Sequence, residues 1–116
     1  MCTRFWACVV GVAFLAAACA SGKQVSVRVA MIDFGFDPNP FHIDGGEGQH
    51  VTITLRNRGA VPHNLVVPDL GLVSAEVAPG QTATLDFVSD RDGTFRVLCT
   101  LPGHEEAGMR GYVSID

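Results

Sequence analysis

Val25, Val27, Val29 and Met31 alternate with Ser26, Arg28 and Ala30, the period-two pattern of a strand with one buried face. Val51, Ile53 and Leu55 repeat it against Thr52, Thr54 and Arg56, and N57-R-G-A closes that strand. Between the two, F34-G-F-D-P-N-P-F places two prolines within three positions, which excludes a helix or a central strand there. Phe34, Phe36 and Phe41 are expected to turn into the core. Gly45, Gly46 and Gly48 mark a turn. Downstream, L65-V-V reads as a short strand closed by Pro68, and Thr82 to Val88 as a strand with Leu85 and Phe87 on one face. Thr94 to Cys99 follows with Phe95, Val97 and Cys99 sharing a face, and Gly111 to Ile115 closes the series with Tyr112 and Val113 as packing residues. P79-G80 and S89-D-R-D-G supply turns, while residues 69–78 carry no strong period.

Short strands punctuated by turns, with no convincing helical period, predict an all-β fold: an antiparallel Greek-key β-sandwich of about seven or eight strands. A chain of 116 residues suggests one domain. A formal charge of −4 gives no reason to expect a nucleic-acid partner, and a monomer is expected.

The first residues stand apart from this pattern. M1-C-T-R-F-W-A-C-V-V-G-V-A-F-L-A-A-A-C-A-S places one cation, Arg4, before an apolar run from Phe5 to Ala18. That run is short for a membrane span of about 20 residues and is followed by small residues, as in an export signal. The alternative is a short anchor that stays uncleaved. L15-A-A-A-C19 resembles a bacterial lipoprotein signal, with Cys19 as the lipidated residue, although Ala16 stands where Leu is usual. A16-A-A also has the A-x-A form of ordinary cleavage. The expected organisation is therefore a signal over 1–18, a short polar tether over 19–24 and one domain over 25–116, exported to the periplasm or the outer face of the cell membrane.

This organisation changes the meaning of the cysteines. Cys2 and Cys8 leave with the signal and Cys19 belongs to the tether, so Cys99 is the only thiol left inside the domain. Exported proteins commonly use cysteines in pairs; a solitary thiol there is exposed to oxidation unless it is buried or metal-bound. Downstream of it, C99-T-L-P-G-H104-E-E-A-G-M109 places an imidazole and a thioether on the loop leading to the last strand. That loop is able to fold back over Cys99 at one end of the sandwich, and His63, in V61-P-H-N, is the candidate fourth ligand. Each residue has a bland reading: a core thiol, a gap-filling Met, a His at a strand boundary. Taken together, one thiolate, two imidazoles and one thioether are the set suited to copper electron transfer. Zinc prefers four strong donors, and hard cations have no use for sulfur. His42 and His50 sit beside turns without evident partners and read as solvated residues. Glu105 and Glu106 read as a solvated loop edge beside His104, able to bias docking toward a basic partner.

P62-H63-N64 followed by C99-x4-H104-x4-M109 resembles the cupredoxins, the type I blue copper proteins. The ligand-loop spacing is similar to the rusticyanin and sulfocyanin branch, and the Pro-His-Asn triplet to plastocyanin-like members. F34-G-F-D-P and G48-x-x-V-T-I-T-L-R-N57 add to a likeness that covers about residues 25–116. The resemblance implies a cupredoxin fold and one copper ion, Cu(II)/Cu(I), held by His63, Cys99, His104 and Met109. It also implies that Asn64 ties the ligand loops together through Thr100, beside the thiolate. It further implies a one-electron carrier between redox proteins such as cytochromes, oxidases or reductases, with electrons passing through His104 under an apolar patch of Leu101, Pro102, Gly103, Ala60 and Val61. Enzymes that contain such domains flank the copper Cys with His; here the neighbours are Leu98 and Thr100, so an enzyme is not expected. A copper delivery or storage protein with the same ligands is the alternative.

Overall fold

A computed structural model describes residues 24–45 and 48–116. The expected signal, the Cys19 lipidation site and nearly all of the tether lie outside them. Among the described residues there are nine strands: β1 (Gln24–Ile32), β2 (Gly35–Asp37), β3 (Phe41–Ile43), β4 (Gln49–Asn57), β5 (Val66–Val67), β6 (Leu72–Val73), β7 (Thr82–Ser89), β8 (Gly93–Leu98) and β9 (Arg110–Ile115). Among the described residues the only helical element is a single 3-10 turn, Pro68–Leu70, and no helix is long and apolar enough to cross a membrane.

Two sheets form, ordered β2-β1-β4-β7 and β3-β9-β8-β5-β6. Their inner faces follow the alternation of the sequence. Val29 and Met31 of β1, Val51, Ile53 and Leu55 of β4, Val97 of β8, and Val113 and Ile115 of β9 are all buried. Removing such side chains from water is the main stabilising term, about 1.5–3 kcal/mol for each fully buried aliphatic residue.

Four sequence expectations need correction. The sheets are mixed rather than antiparallel, because β1 runs parallel to β4 and β3 parallel to β9. Nine strands form where seven or eight are predicted; β2, β3 and β6, of two or three residues each, are too short to show a period. The proline-bearing segment is accommodated because Pro38 and Pro40 lie in the bend between β2 and β3, outside both strands, where a missing N–H costs no ladder bond. Phe36 and Phe41 enter the core, but Phe34 lies in the β1–β2 turn and remains 40 % exposed. Tyr112 is likewise 53 % exposed, because it points to the outer face of β9 while Val113 takes the inner one.

One end of the sandwich gathers the end of β1, the end of β4, the start of β7, the exit of β8 and the start of β9. Asn57, fully buried there, organises the chain that leaves β4. Its Nδ2 donates to the carbonyls of Val61 at 2.9 Å and Val77 at 2.8 Å, and its Oδ1 accepts from the Gly59 amide at 2.8 Å. Truncating Asn57 strands these buried partners, each at a substantial cost. Asn57→Ala is therefore expected to lower the stability of the metal-free protein by about 2–4 kcal/mol, read from urea unfolding.

Candidate metal centre

Asn57 sets the path of residues 58–63, and Pro62 then delivers His63 to a bridge with Val77. The His63 amide donates to the Val77 carbonyl at 3.1 Å and the Val77 amide to the His63 carbonyl at 2.8 Å. The ring of His63 is thereby carried fully inside.

The second loop follows from β8. Cys99 lies one residue past that strand, is fully buried, and among the described residues is the one free cysteine. Residues 101–108 form consecutive turns in which the His104 amide donates to the Leu101 carbonyl and the Gly108 amide to that of Glu105. Gly108 takes a φ of +111°, which side chains disfavour, and lets the chain reverse into β9. The Met109 amide donates to the His104 carbonyl at 3.0 Å, and the Cys99 amide donates to the Met109 carbonyl at 3.1 Å. Met109 is fully buried within this closed loop. Five-residue spacing thus brings Cys99, His104 and Met109 together through a turn that bonds back on itself.

The two loops are tied by Asn64 and Thr100. Asn64 Nδ2 donates to the Thr100 hydroxyl at 2.8 Å, and the Thr100 amide donates to Asn64 Oδ1 at 2.9 Å. One side chain therefore locks the residue after the first imidazole to the residue after the thiol.

His63 Nδ1 stands 3.2 Å from His104 Nδ1, which in turn stands 3.5 Å from Cys99 Sγ. His63 Nε2 lies 2.6 Å from Asp33 Oδ1, a contact in which the ring nitrogen must be the donor. In the neutral imidazole, which has one proton to place, that assignment leaves Nδ1 of His63 as a bare lone pair aimed at the second ring. Asp33, absent from the ligand pattern, is the functional residue that the sequence did not reveal. Its other oxygen accepts the Ala60 amide at 2.8 Å. These two donors, the Ala60 amide foremost and then the His63 ring, hold the Asp33 carboxyl below the ordinary aspartate value of 3.8, against a smaller opposing effect of desolvation. Phe34, beside it, packs edge-on against both rings, with centroids 4.9 Å from His104 and 5.9 Å from His63.

These donors fit copper. Two ring nitrogens and a thiol sulfur lie within 4.8 Å of one another in a buried pocket, with a thioether residue on the same loop. No carboxylate belongs to this group, so a hard cation has nothing to bind. The second group of metal-capable side chains, His42, Asp44 and Asp116, is fully on the surface. It gives His42 a partner, Asp116 at 3.1 Å, that the sequence did not suggest.

A β-sandwich with a buried His-Cys-His pocket at one pole defines a type I copper protein, and His63, Cys99, His104 and Met109 form its site. The comparisons agree. Residues 5–112 match the model of the cupredoxin-like domain, and the chain belongs to that family. Over 90 % of its length it is 31 % identical to a chloroplast plastocyanin of Oryza sativa subsp. indica, covering 73 % of that protein. Over 60 % of its length it is 34 % identical to a copper-containing nitrite reductase of Alcaligenes xylosoxydans xylosoxydans, of which it spans only 24 %. Among solved structures, the auracyanin of Roseiflexus castenholzii shares the fold at a TM-score of 0.65 and 22 % identity, over 82 % of this chain and 99 % of that one.

The Cu(II)-loaded protein is expected to show an intense visible thiolate-to-copper band, absent from Cys99→Ser. Absorption spectra of the two proteins at equal copper loading check this.

Proposed function

We propose that the protein is a one-electron carrier working between redox proteins at the outer face of a bacterial membrane or in the periplasm. A bound copper ion supplies a one-electron Cu(II)/Cu(I) couple. The protein's own part is to hold the donors still and to bring one of them to the surface. The observation that carries this reading is the division of exposure: His63, Cys99 and Met109 are buried, whereas His104 is half-buried at the pole. Electrons reach the site through that ring without the pocket opening.

The surroundings of His104 suit brief encounters. Leu101, Pro102, Gly103, Ala60 and Val61 lie half-buried or exposed on the adjoining loops, and Phe34 joins them from the β1–β2 turn. A small apolar face excludes water without a lasting grip, as transient redox contacts require. Enzymatic turnover is disfavoured by the same geometry. The donor pocket is buried, which leaves no open position for a substrate, and Cys99 is flanked by Leu98 and Thr100 rather than by imidazoles that relay electrons to a second metal.

Export and lipidation at Cys19 are supported by the N-terminal sequence and are consistent with the course of the chain. β1 begins at the end of the sandwich opposite the site and runs nine residues toward it. At 3.3 Å per residue this sets Gln24, the first described residue, about 30 Å from the donor pole. An anchored molecule thus directs His104 away from the bilayer, toward partners that diffuse. Cys19→Ser is expected to move the protein from the membrane fraction to the soluble fraction, as followed by immunoblotting.

His104→Gly tests the electron route. Added imidazole is expected to restore the visible band while rapid electron exchange with a redox protein stays lost, measured by stopped flow. Undiminished exchange would remove His104 from the route. Transfer of copper to an apo-acceptor in preference to repeated redox cycling would favour the delivery reading instead.

A further inference from the structure

We infer that Asp33 is a positioning residue of the copper site: it fixes the bare nitrogen of His63 toward the ion and favours the more highly charged oxidation state. The inference rests on the copper assignment of the pocket.

Both carboxylate oxygens are committed, and to different donors. Oδ1 faces His63 Nε2 at 2.6 Å and Oδ2 accepts the Ala60 amide at 2.8 Å. The second bond fixes the carboxylate, so the first is an orienting contact. An imidazole has one proton to place when neutral. An anion at Nε2 holds that proton there and leaves Nδ1 free to bind metal. The same anion draws the N–H bond toward itself, which raises the electron density on Nδ1. A more basic donor stabilises Cu(II) more than Cu(I), so Asp33 acts to lower the reduction potential.

The backbone makes room for this contact. A side chain at Gly59 would overlap the Asp33 carboxylate and stand 3.0 Å from His63 Nε2. Gly59 thus lies at the junction of carboxylate and imidazole and excludes anything bulkier than a hydrogen. The Ala60 amide that grips Asp33 belongs to the next residue, so the loop that positions His63 also holds its counter-anion.

Asparagine cannot replace this carboxylate. It has one acceptor oxygen for two N–H donors, so one donor is left facing an amide NH2 group. If the amide turns toward His63, the ring is driven to the other tautomer and Nδ1 carries the proton. Loss of such an outer partner typically weakens metal binding about 10–100-fold. A tenfold loss falling on Cu(II) alone raises the potential by about 59 mV.

The test compares wild type, Asp33→Asn and Gly59→Ala. Gly59→Ala displaces the carboxylate while leaving Asp33 in the sequence. Three readouts are taken: the visible band, the reduction potential by spectroscopic redox titration, and the His63 tautomer from ¹⁵N shifts of the metal-free protein. Both variants are expected to raise the potential, and Asp33→Asn to populate the Nδ1–H tautomer in the metal-free state. An unchanged potential and tautomer in a blue, folded Asp33→Asn overturns the inference while leaving the copper site standing. Equal weakening of Cu(II) and Cu(I), with no shift in potential, also overturns it, because Asp33 would then serve the fold alone. A wild type without the visible band, by contrast, defeats the copper assignment itself.

Discussion

Two ring nitrogens held 3.2 Å apart and aimed at each other, beside a buried thiol, form the constraint on which the rest of the molecule depends. In a protein without metal such an approach requires one ring nitrogen to carry a proton and donate it to the other. The surrounding chain must hold the rings there before an ion arrives. It does so with three local devices, each rooted in a different part of the sequence. The bridge with Val77 sets the backbone of His63, the turns from Leu101 to Gly108 set His104, and the Asn64–Thr100 pair prevents the two loops from drifting apart. Holding donors in one arrangement matters more for an electron carrier than for a storage site. A cage that moves little between oxidation states keeps the barrier to electron exchange small.

The sandwich beneath explains why the devices hold. β1 and β4 pair along eight residues, and β4 pairs with β7 along eight more, so the first sheet is a continuous ladder that ends at Asn57. In the second sheet, β8 pairs with β9 along six residues and ends at the thiol loop. Both ladders deliver ligand-bearing loops to the same pole, and the fully buried Asn57 seals the junction on one side. Polar groups buried in this way are costly unless all are paired, and a network paired throughout specifies one arrangement. The stability of the loops is therefore inherited from the sheets and not from the ion alone.

Much of this was legible in the sequence, and the reasons are physical. Long alternating runs such as 25–31 and 51–56 declare a buried face by themselves, and Cys99, His104 and Met109 are close enough in sequence for one turn to join them. What was not legible depends on contacts between distant segments. The parallel pairing of β1 with β4 joins strands separated by the whole 33–48 region, and no local pattern states it. Phe34 shows the same limit: a Phe among apolar neighbours was expected in the core, yet its place in the β1–β2 turn sets it outside, against the two imidazoles. Asp33 was invisible for a related reason. An isolated aspartate before a Phe resembles any turn residue until the structure brings Gly59, Ala60 and His63 to it from about 30 positions away.

The β1–β2 turn therefore does two tasks with adjacent residues. Asp33 bonds the buried ring, and Phe34 packs against both rings but closer to the half-buried one. This is an economical way to separate electronic from steric control. The Asp33 carboxylate, itself open to solvent on one side, acts on the fully buried His63 through a direct 2.6 Å contact, while the close neighbour of His104 in the same turn is the apolar ring of Phe34. An apolar ring placed on His104 limits its contact with water but adds no charge at the point of encounter. Exchanging the two would set the carboxylate against His104 and the phenyl ring against His63 Nε2, where it offers that N–H no acceptor. The order of two residues in one tight turn is thus tied to the difference in burial between the two histidines, and under the proposed route that difference separates the ligand that would set the ion's preference from the ligand that would pass the electron.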